Sequence, residues 1–357
     1  MDSFDKLQHA DDVLVKISGI IFNFDNVTPS NIDEEWDKFK ESECNYSPQL
    51  KYNEFNPKQY IKELKEIDIP KDTPIGELFD DCRNKMLKYA TMLLDVGTDH
   101  FNTTNYFGKI TNDLLMNAHQ IIDMKLPKIK PSNKTIPSKE LAEIMQKEFD
   151  KYNIEGWTIK FRKNSSSPVS INAGAKTLIV NKGKTYSDYR IKKLLIHEIG
   201  THVLRAVNGH NQEFRIFSVG LPGYEYTEEG LAGYNEREQG YKSKQTMIRY
   251  AIRVIATKVA SMGGFMDVYN VIRPLVYDNE RAFRTSIRIK RGLGDTSKPG
   301  GLLKDHVYLQ GMLLIEKFVD EGGDIRDLYA GKIRVGDVHL VHNGTLKPAK
   351  ILPDFLQ

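Results

Sequence analysis

The residues best suited to chemistry lie in one short segment, His197-Glu198-Ile199-Gly200-Thr201-His202. Two imidazoles are good ligands for a divalent ion, and a carboxylate beside the first can serve as a general base. The spacing is one residue longer than the His-Glu-x-x-His pattern of many metal-dependent hydrolases. In a regular α-helix of about 3.6 residues per turn, residues five apart point roughly 140° away from one another, so the two rings could not share an ion. A single wide, π-type turn absorbs the extra residue, and Gly200-Thr201 is the expected place for it because glycine relaxes the backbone.

A catalytic zinc site takes three protein ligands and keeps a fourth position for water. The third ligand is expected from Thr227-Glu228-Glu229-Gly230-Leu231-Ala232, where Thr227 can cap a helix whose first turn carries two carboxylates. Glu229 is the candidate ligand and Glu228 the candidate acceptor for a ligand's remaining ring N–H, with the two roles exchangeable. Glu198 would take a proton from zinc-bound water, whose pKa falls to about 7, and the hydroxide would attack a carbonyl polarised by the metal. Peptide hydrolysis is the chemistry that follows. A lone motif of this kind can arise by chance in a chain with 9 His. Its setting on a helix behind strands, followed by a paired-Glu helix start, argues against accident.

Apolar spacing identifies the elements that must position these groups. Residues 188–207 carry Ile191, Leu194, Leu195, Ile199 and Val203 at helical intervals, so the His pair is expected on an amphipathic helix. Ahead of it, alternation predicts short strands over 157–162, 169–171 and 178–180. Behind it, helices are expected over 227–238, 244–261, 265–275, 278–290, 302–319 and 324–330, and then an irregular tail with Pro348 and Pro353. The first 150 residues read as helices over 32–42, 56–67, 74–96, 111–124 and 138–152, the third with Thr73 as N-cap and Pro74 in its first turn. Pro127, Pro131 and Pro137 punctuate a basic stretch, 125–139, that is the candidate linker. The expected organisation is a helical N-terminal region, 1–136, and a catalytic domain, 137–357, or one continuous unit. The fold class is helix-rich α+β with a small sheet beside the active-site helix.

Composition narrows the function classes. The 357 residues are 40% hydrophobic and 28% charged, as in an ordinary soluble globular chain. A net charge of +3, from 51 Lys plus Arg against 48 Asp plus Glu, is too small to imply nucleic-acid binding. Apolar runs fall well short of the roughly 20 residues needed to span a bilayer, so no membrane segment is expected. The start lacks a secretory signal pattern, and the 2 cysteines, Cys44 and Cys82, form no close pair, so free thiols and a cytoplasmic location are expected. Basic residues cluster at Arg281, Arg284, Arg288, Lys290 and Arg291. A solvated helix face accounts for such a cluster as well as a binding surface does.

Taken together, His197-Glu198-Ile199-Gly200-Thr201-His202 with Val203-Leu204-Arg205, Glu228-Glu229-Gly230-Leu231-Ala232, and Lys304-Asp305-His306-Val307-Tyr308-Leu309-Gln310-Gly311 resemble the microtubule-associated tyrosine carboxypeptidases and their bacterial relatives with a QEGLA motif. The resemblance implies a gluzincin-like zincin fold, one catalytic Zn2+, and removal of a C-terminal aromatic residue, which is the tyrosine of α-tubulin in the animal enzymes. It places His197, His202 and Glu229 as metal ligands and Glu198 as base, with Glu228 standing where the bacterial motif carries Gln. A carboxypeptidase also needs a donor for the tetrahedral oxyanion and a cation for the substrate carboxylate. Tyr308 is the candidate for the first, and Arg205, Arg284, Arg288 and Arg291 for the second. The expected function is therefore a zinc metallocarboxypeptidase acting on a protein or peptide with a free C-terminus, including an acidic tubulin-like tail drawn in by the basic cluster. An endo- or aminopeptidase with the same ligands, or a regulatory protein that retains the metal site, are the alternatives.

Overall fold

The structure, a computed structural model, describes residues 2–123, 135–163, 167–241 and 244–357. Most of the expected linker, 125–134, lies outside the described residues, and its end is already ordered as a strand at Thr135–Pro137 leading into the helix Ser138–Lys151. Helices dominate, with small sheets, so the chain is helix-rich α+β. Among the described residues no helix is long and apolar enough to cross a membrane.

Two compact units emerge, Met1–Lys125 with Gln245–Leu309, and Leu126–Lys244 with Gln310–Gln357. Residues 245–309, assigned from sequence to the catalytic domain, therefore fold with the N-terminal helices instead. The reason is aromatic packing. Phe39, on the helix Ile32–Glu41, sets its ring against Phe265, Tyr269 and Phe283 at centroid separations of 5.6, 4.9 and 5.1 Å. Fully buried Phe39, Phe265 and Phe283 have nowhere else to hide their area from water. This unit also contains a helix, Ser3–Ile21, that lies outside the sequence assignments; Asp2 caps it by accepting from the Asp5 N–H at 2.8 Å. Thr73 caps the helix Pro74–Met92 in the expected way, accepting from Gly76 N at 3.1 Å.

The second unit is built on five strands: β1 (Thr135–Pro137), β2 (Thr158–Arg162), β3 (Val169–Asn172), β4 (Thr177–Asn181) and β5 (Thr185–Ser187). The central β4 pairs parallel with β2, Ile159 opposite Leu178, and antiparallel with β3, Ile171 opposite Leu178. β1 and β5 form a separate antiparallel ribbon. Leu178 and Val180 of β4, both fully buried, join one core with Leu194, Ile199 and Val203 of the following helix, Leu231, and Ile315. The sheet thus serves as a floor for the segment carrying the motif. The helix expected over 302–319 begins only at Val307, after a turn over residues 303–306. In place of the helix expected over 324–330 there is a short 3₁₀ turn, Asp327–Ala330.

Candidate metal centre

The motif helix runs as α-helix from Asp188 to Leu194, as π-helix from Leu195 to Val203, and as α-helix again from Leu204 to His210. The widened turns show in the hydrogen bonds, where Leu204 N–H donates to Ile199 O and the Thr201 hydroxyl to Ile196 O at 3.0 Å, both five residues back. Widening brings the rings of His197 and His202 to a centroid separation of 4.7 Å, nearly perpendicular at 85°. The wide turn is held from outside. Tyr329 OH donates to Gly200 O at 2.8 Å, and Asn235 Nδ2 donates both to Tyr329 OH at 2.9 Å and to Thr201 Oγ1 at 3.0 Å. All three side chains are buried, so these bonds are shielded from competing water.

Glu229 completes the cluster from the helix Glu225–Glu238. His197, His202 and Glu229 each offer a ligand atom, all within 4.8 Å of one another, and His197 Nε2 stands 3.8 Å from Glu229 Oε2. A tetrahedral ion with bonds of about 2.0–2.1 Å needs ligand atoms roughly 3.4 Å apart, so a small inward movement suffices. Thr227 is not the cap of this helix. The helix starts two residues earlier, and the Thr227 hydroxyl instead accepts from Val335 N at 3.0 Å.

Behind each imidazole stands a buried carboxylate. The Nδ1–H of His202 donates to Glu228 Oε1 at 2.8 Å, and that of His197 to Glu236 Oε1 at 2.7 Å. These bonds fix both tautomers and leave the Nε2 atoms to the centre. Glu236 is held in turn by Lys193 at 2.9 Å, and Glu228 by both Lys332 and Arg205. Burial would raise the Glu228 carboxyl, but Lys332, Arg205 and His202 hold it well below the usual carboxylate range. Burial would lower His197, but its bond to Glu236 and the charges of Glu236, Glu198 and Glu229 carry it up to about 9. Glu198, buried beside the two imidazoles, is pushed up by burial against the opposing charges of His197 and His202. A donor set of two imidazole nitrogens and one carboxylate, with both rings oriented by carboxylates, fits a zinc-type ion.

Arg205 requires a correction. Expected to hold a substrate carboxylate, it is fully buried, with Nε donating to Leu328 O at 2.8 Å, Nη2 to Ile333 O at 2.7 Å, and Nη1 to Glu228. It braces Glu228 and has no surface to offer a ligand. Tyr308, Arg284 and Arg288 belong to the first unit and not to the one that assembles the cluster. There Tyr308 stacks on Tyr250 at 5.3 Å beneath the Arg253 guanidinium. Arg284 pairs with Glu280 and Asp33, Arg288 pairs with Asp305, and both arginines line an open groove of about 350 Å³ with Asp278 and Arg281. Glu236, Lys193 and Lys332 were not picked out from sequence. Glu236 could have been found, since it lies two turns beyond Glu229 on one helix face. Lys332, more than a hundred residues from Glu228, gives no such signal.

The fold and the cluster define a helix-rich α+β protein with a partly buried candidate metal centre of two histidines and one glutamate. A family profile described as microtubule-associated tyrosine carboxypeptidase matches residues 37–357, and the chain belongs to that family. It is 27% identical over 340 residues to human microtubule-associated tyrosine carboxypeptidase 1, covering 92% of this chain and 63% of the human one. The mouse protein of the same name is 27% identical over 297 residues, covering 80% of this chain and 55% of its own. The chain thus spans less than two thirds of the length of these relatives.

Proposed function

We propose that the chain is a zinc-dependent carboxypeptidase of gluzincin-like zincin type that releases a C-terminal aromatic residue such as tyrosine. The observation that carries this reading is the convergence of His197, His202 and Glu229, with both ring Nδ1 atoms anchored on buried carboxylates and Glu198 beside them. Zinc held by these three side chains would supply a Lewis acid and acidify bound water. Glu198 supports the proton work, because burial raises its pKa and so makes the carboxylate a better proton acceptor, and a carboxyl so placed can return the proton to the leaving amine. Glu228 and Glu236 hold the rings still while this happens. The relatives' names point to tyrosine and to microtubules, so the substrate we propose is an acidic tubulin-like tail with a free C-terminus, in the cytoplasm.

The test compares wild type with Glu198→Gln, both zinc-loaded, on a peptide library varied at its last residue. Mass spectrometry should show loss of a single C-terminal aromatic residue by the wild type, and a rate about 10²–10⁴ lower in the variant. Equal cleavage by the two proteins overturns the role of Glu198, and internal or N-terminal cuts overturn the carboxypeptidase reading.

A further inference from the structure

Residues 350–357, in the same unit as the metal centre, are fastened at both ends of their run. Buried Asn208, beyond His202 on the motif helix, accepts through Oδ1 from Lys350 N at 3.1 Å and Ile351 N at 3.0 Å, and its Nδ2 donates to Ile351 O at 2.7 Å. Farther on, Asp354 pairs with Lys151 at the end of the helix Ser138–Lys151, and its N–H donates to Tyr152 OH at 3.2 Å. Ile351, Leu352 and Leu356 pack against the core that the motif helix shares with the sheet. Anchored in this way, the segment sets the ring of half-buried Phe355 over Gly200. A Cβ on Gly200 would stand 3.1 Å from Cε1 and 3.4 Å from Cζ of that ring. The ring therefore takes the place of the side chain that the glycine lacks. Gly200 lies inside the π-helical stretch, between the two ligand histidines, and glycine keeps more backbone freedom than any other residue. Its carbonyl oxygen is tied by Tyr329, and its α-carbon is covered by Phe355.

We propose that Phe355 is a positioning residue of the metal centre, its ring pressing on Gly200 so that the wide turn keeps His197 and His202 directed at one ion. The proposal rests on the metal-centre reading above and adds a brace that acts through the backbone between the ligands. A loose ligand pair loses freedom each time it closes on an ion, whereas a turn held in advance does not, so the brace tightens binding. Its firmness depends on the anchors, because a ring can press only as hard as its own backbone is fixed. Asn208 and Lys151 supply that fixing from two different helices. The fit is also reciprocal. A methyl group on Gly200 would meet a ring that the anchors keep from withdrawing, and the turn would have to move instead.

The test measures, on the full chain, zinc affinity by competition with a chelator, the visible absorption spectrum of the cobalt-substituted protein, and the melting temperature of the metal-free protein. Phe355→Ala should weaken zinc about tenfold and alter the cobalt bands, which report the ligand geometry, and Phe355→Leu should restore part of the loss. Leu356→Ala, which trims the same segment where it packs on the core, should lower the melting temperature while keeping the wild-type affinity and cobalt spectrum. Gly200→Ala should weaken zinc in the wild-type background and weaken it less in Phe355→Ala, because the ring it collides with is gone. This pair of measurements also carries the test through Phe355→Leu if Phe355→Ala does not fold. Wild-type affinity and spectrum in the Phe355 variants overturn the proposal, as do equal losses in Leu356→Ala or losses that simply add in the Gly200→Ala pair. In each of those cases a wild type that binds zinc leaves the metal-centre reading standing. A wild type that binds no zinc overturns that reading and the brace with it.

Discussion

At the residue scale, the two carboxylates behind the imidazoles are alike in role and unlike in charge. Glu236 answers one lysine, whereas Glu228 answers Lys332 and Arg205 together. Glu236→Gln should weaken zinc affinity about 10–100-fold, read by competition with a chelator, while leaving the fold intact. Glu228→Gln should in addition cost about 3 kcal/mol or more of stability in urea denaturation, because two buried cations lose their counter-charge. Equal stability of the two variants would count against this asymmetry. His197, Glu198, His202 and Glu229 could be picked out of the sequence because donor chemistry and spacing along one chain segment are local properties. The cations behind Glu228 could not, because Lys332 and Arg205 meet it through tertiary packing that no spacing encodes. Arg205 misled for the same reason: one turn from His202 on a helix, it reads as a group near substrate, yet that turn faces the core.

At the element scale, the wide turn followed from the five-residue His spacing alone, since a regular helix would have parted the rings. What holds it open, Tyr329 and Asn235, became visible only in three dimensions. The helix bearing Glu229 is placed by a contact between glycines. A Cβ on Gly230 would fall 2.2 Å from Gly311 O, and one on Gly311 would fall 2.1 Å from Tyr226 O. The helices Glu225–Glu238 and Val307–Asp320 therefore approach backbone to backbone. Gly230→Ala should push them apart, lowering both the melting temperature and the zinc stoichiometry measured by mass spectrometry of metals. Gly19→Ala is the control: nothing lies within 4 Å of its Cβ, and in the last turn of the helix Ser3–Ile21 it should hold stability or raise it by no more than about 0.5 kcal/mol. A Gly230→Ala protein that melts and loads like wild type would show that the helices have slack.

At the scale of the whole molecule, the division into units was the least legible feature, because pattern in sequence marks elements and not which of them share a core. The return of residues 245–309 to the N-terminal helices depends on rings such as Phe39 and Phe283 meeting across more than two hundred residues. That unit carries its own pH signature. Lys290, fully buried, donates to Gly263 O at 2.9 Å and to Lys298 O, and burial pushes it down to about 8 against the pull of Asp267 and Asp295. Below pH 8 the lysine is protonated whether folded or unfolded. Between pH 8 and about 10.4 the unfolded chain holds more protons, so this residue makes stability rise with pH by up to about 1.4 kcal/mol per unit. Denaturation at pH 7.5, 8.5 and 9.5 should show wild type gaining on Lys290→Met, and parallel curves would refute it.

The lysines and arginine behind the site carry one more consequence, for the life of the protein between metal ions. Glu236 is matched by Lys193, Glu228 by Lys332 and Arg205, and the remaining acids Glu198 and Glu229 by a His197 that holds its proton to about pH 9. Repulsion among carboxylates is thereby cancelled by the chain itself, so folding need not wait for an ion as it does in a zinc finger. Protein stripped with a chelator should keep its circular dichroism spectrum, remain monodisperse, and regain activity on adding zinc alone. Loss of the fold on stripping would mean that the ion is part of the architecture. If the fold persists, synthesis and metal supply are uncoupled, and the cell can make this protein first and charge it later.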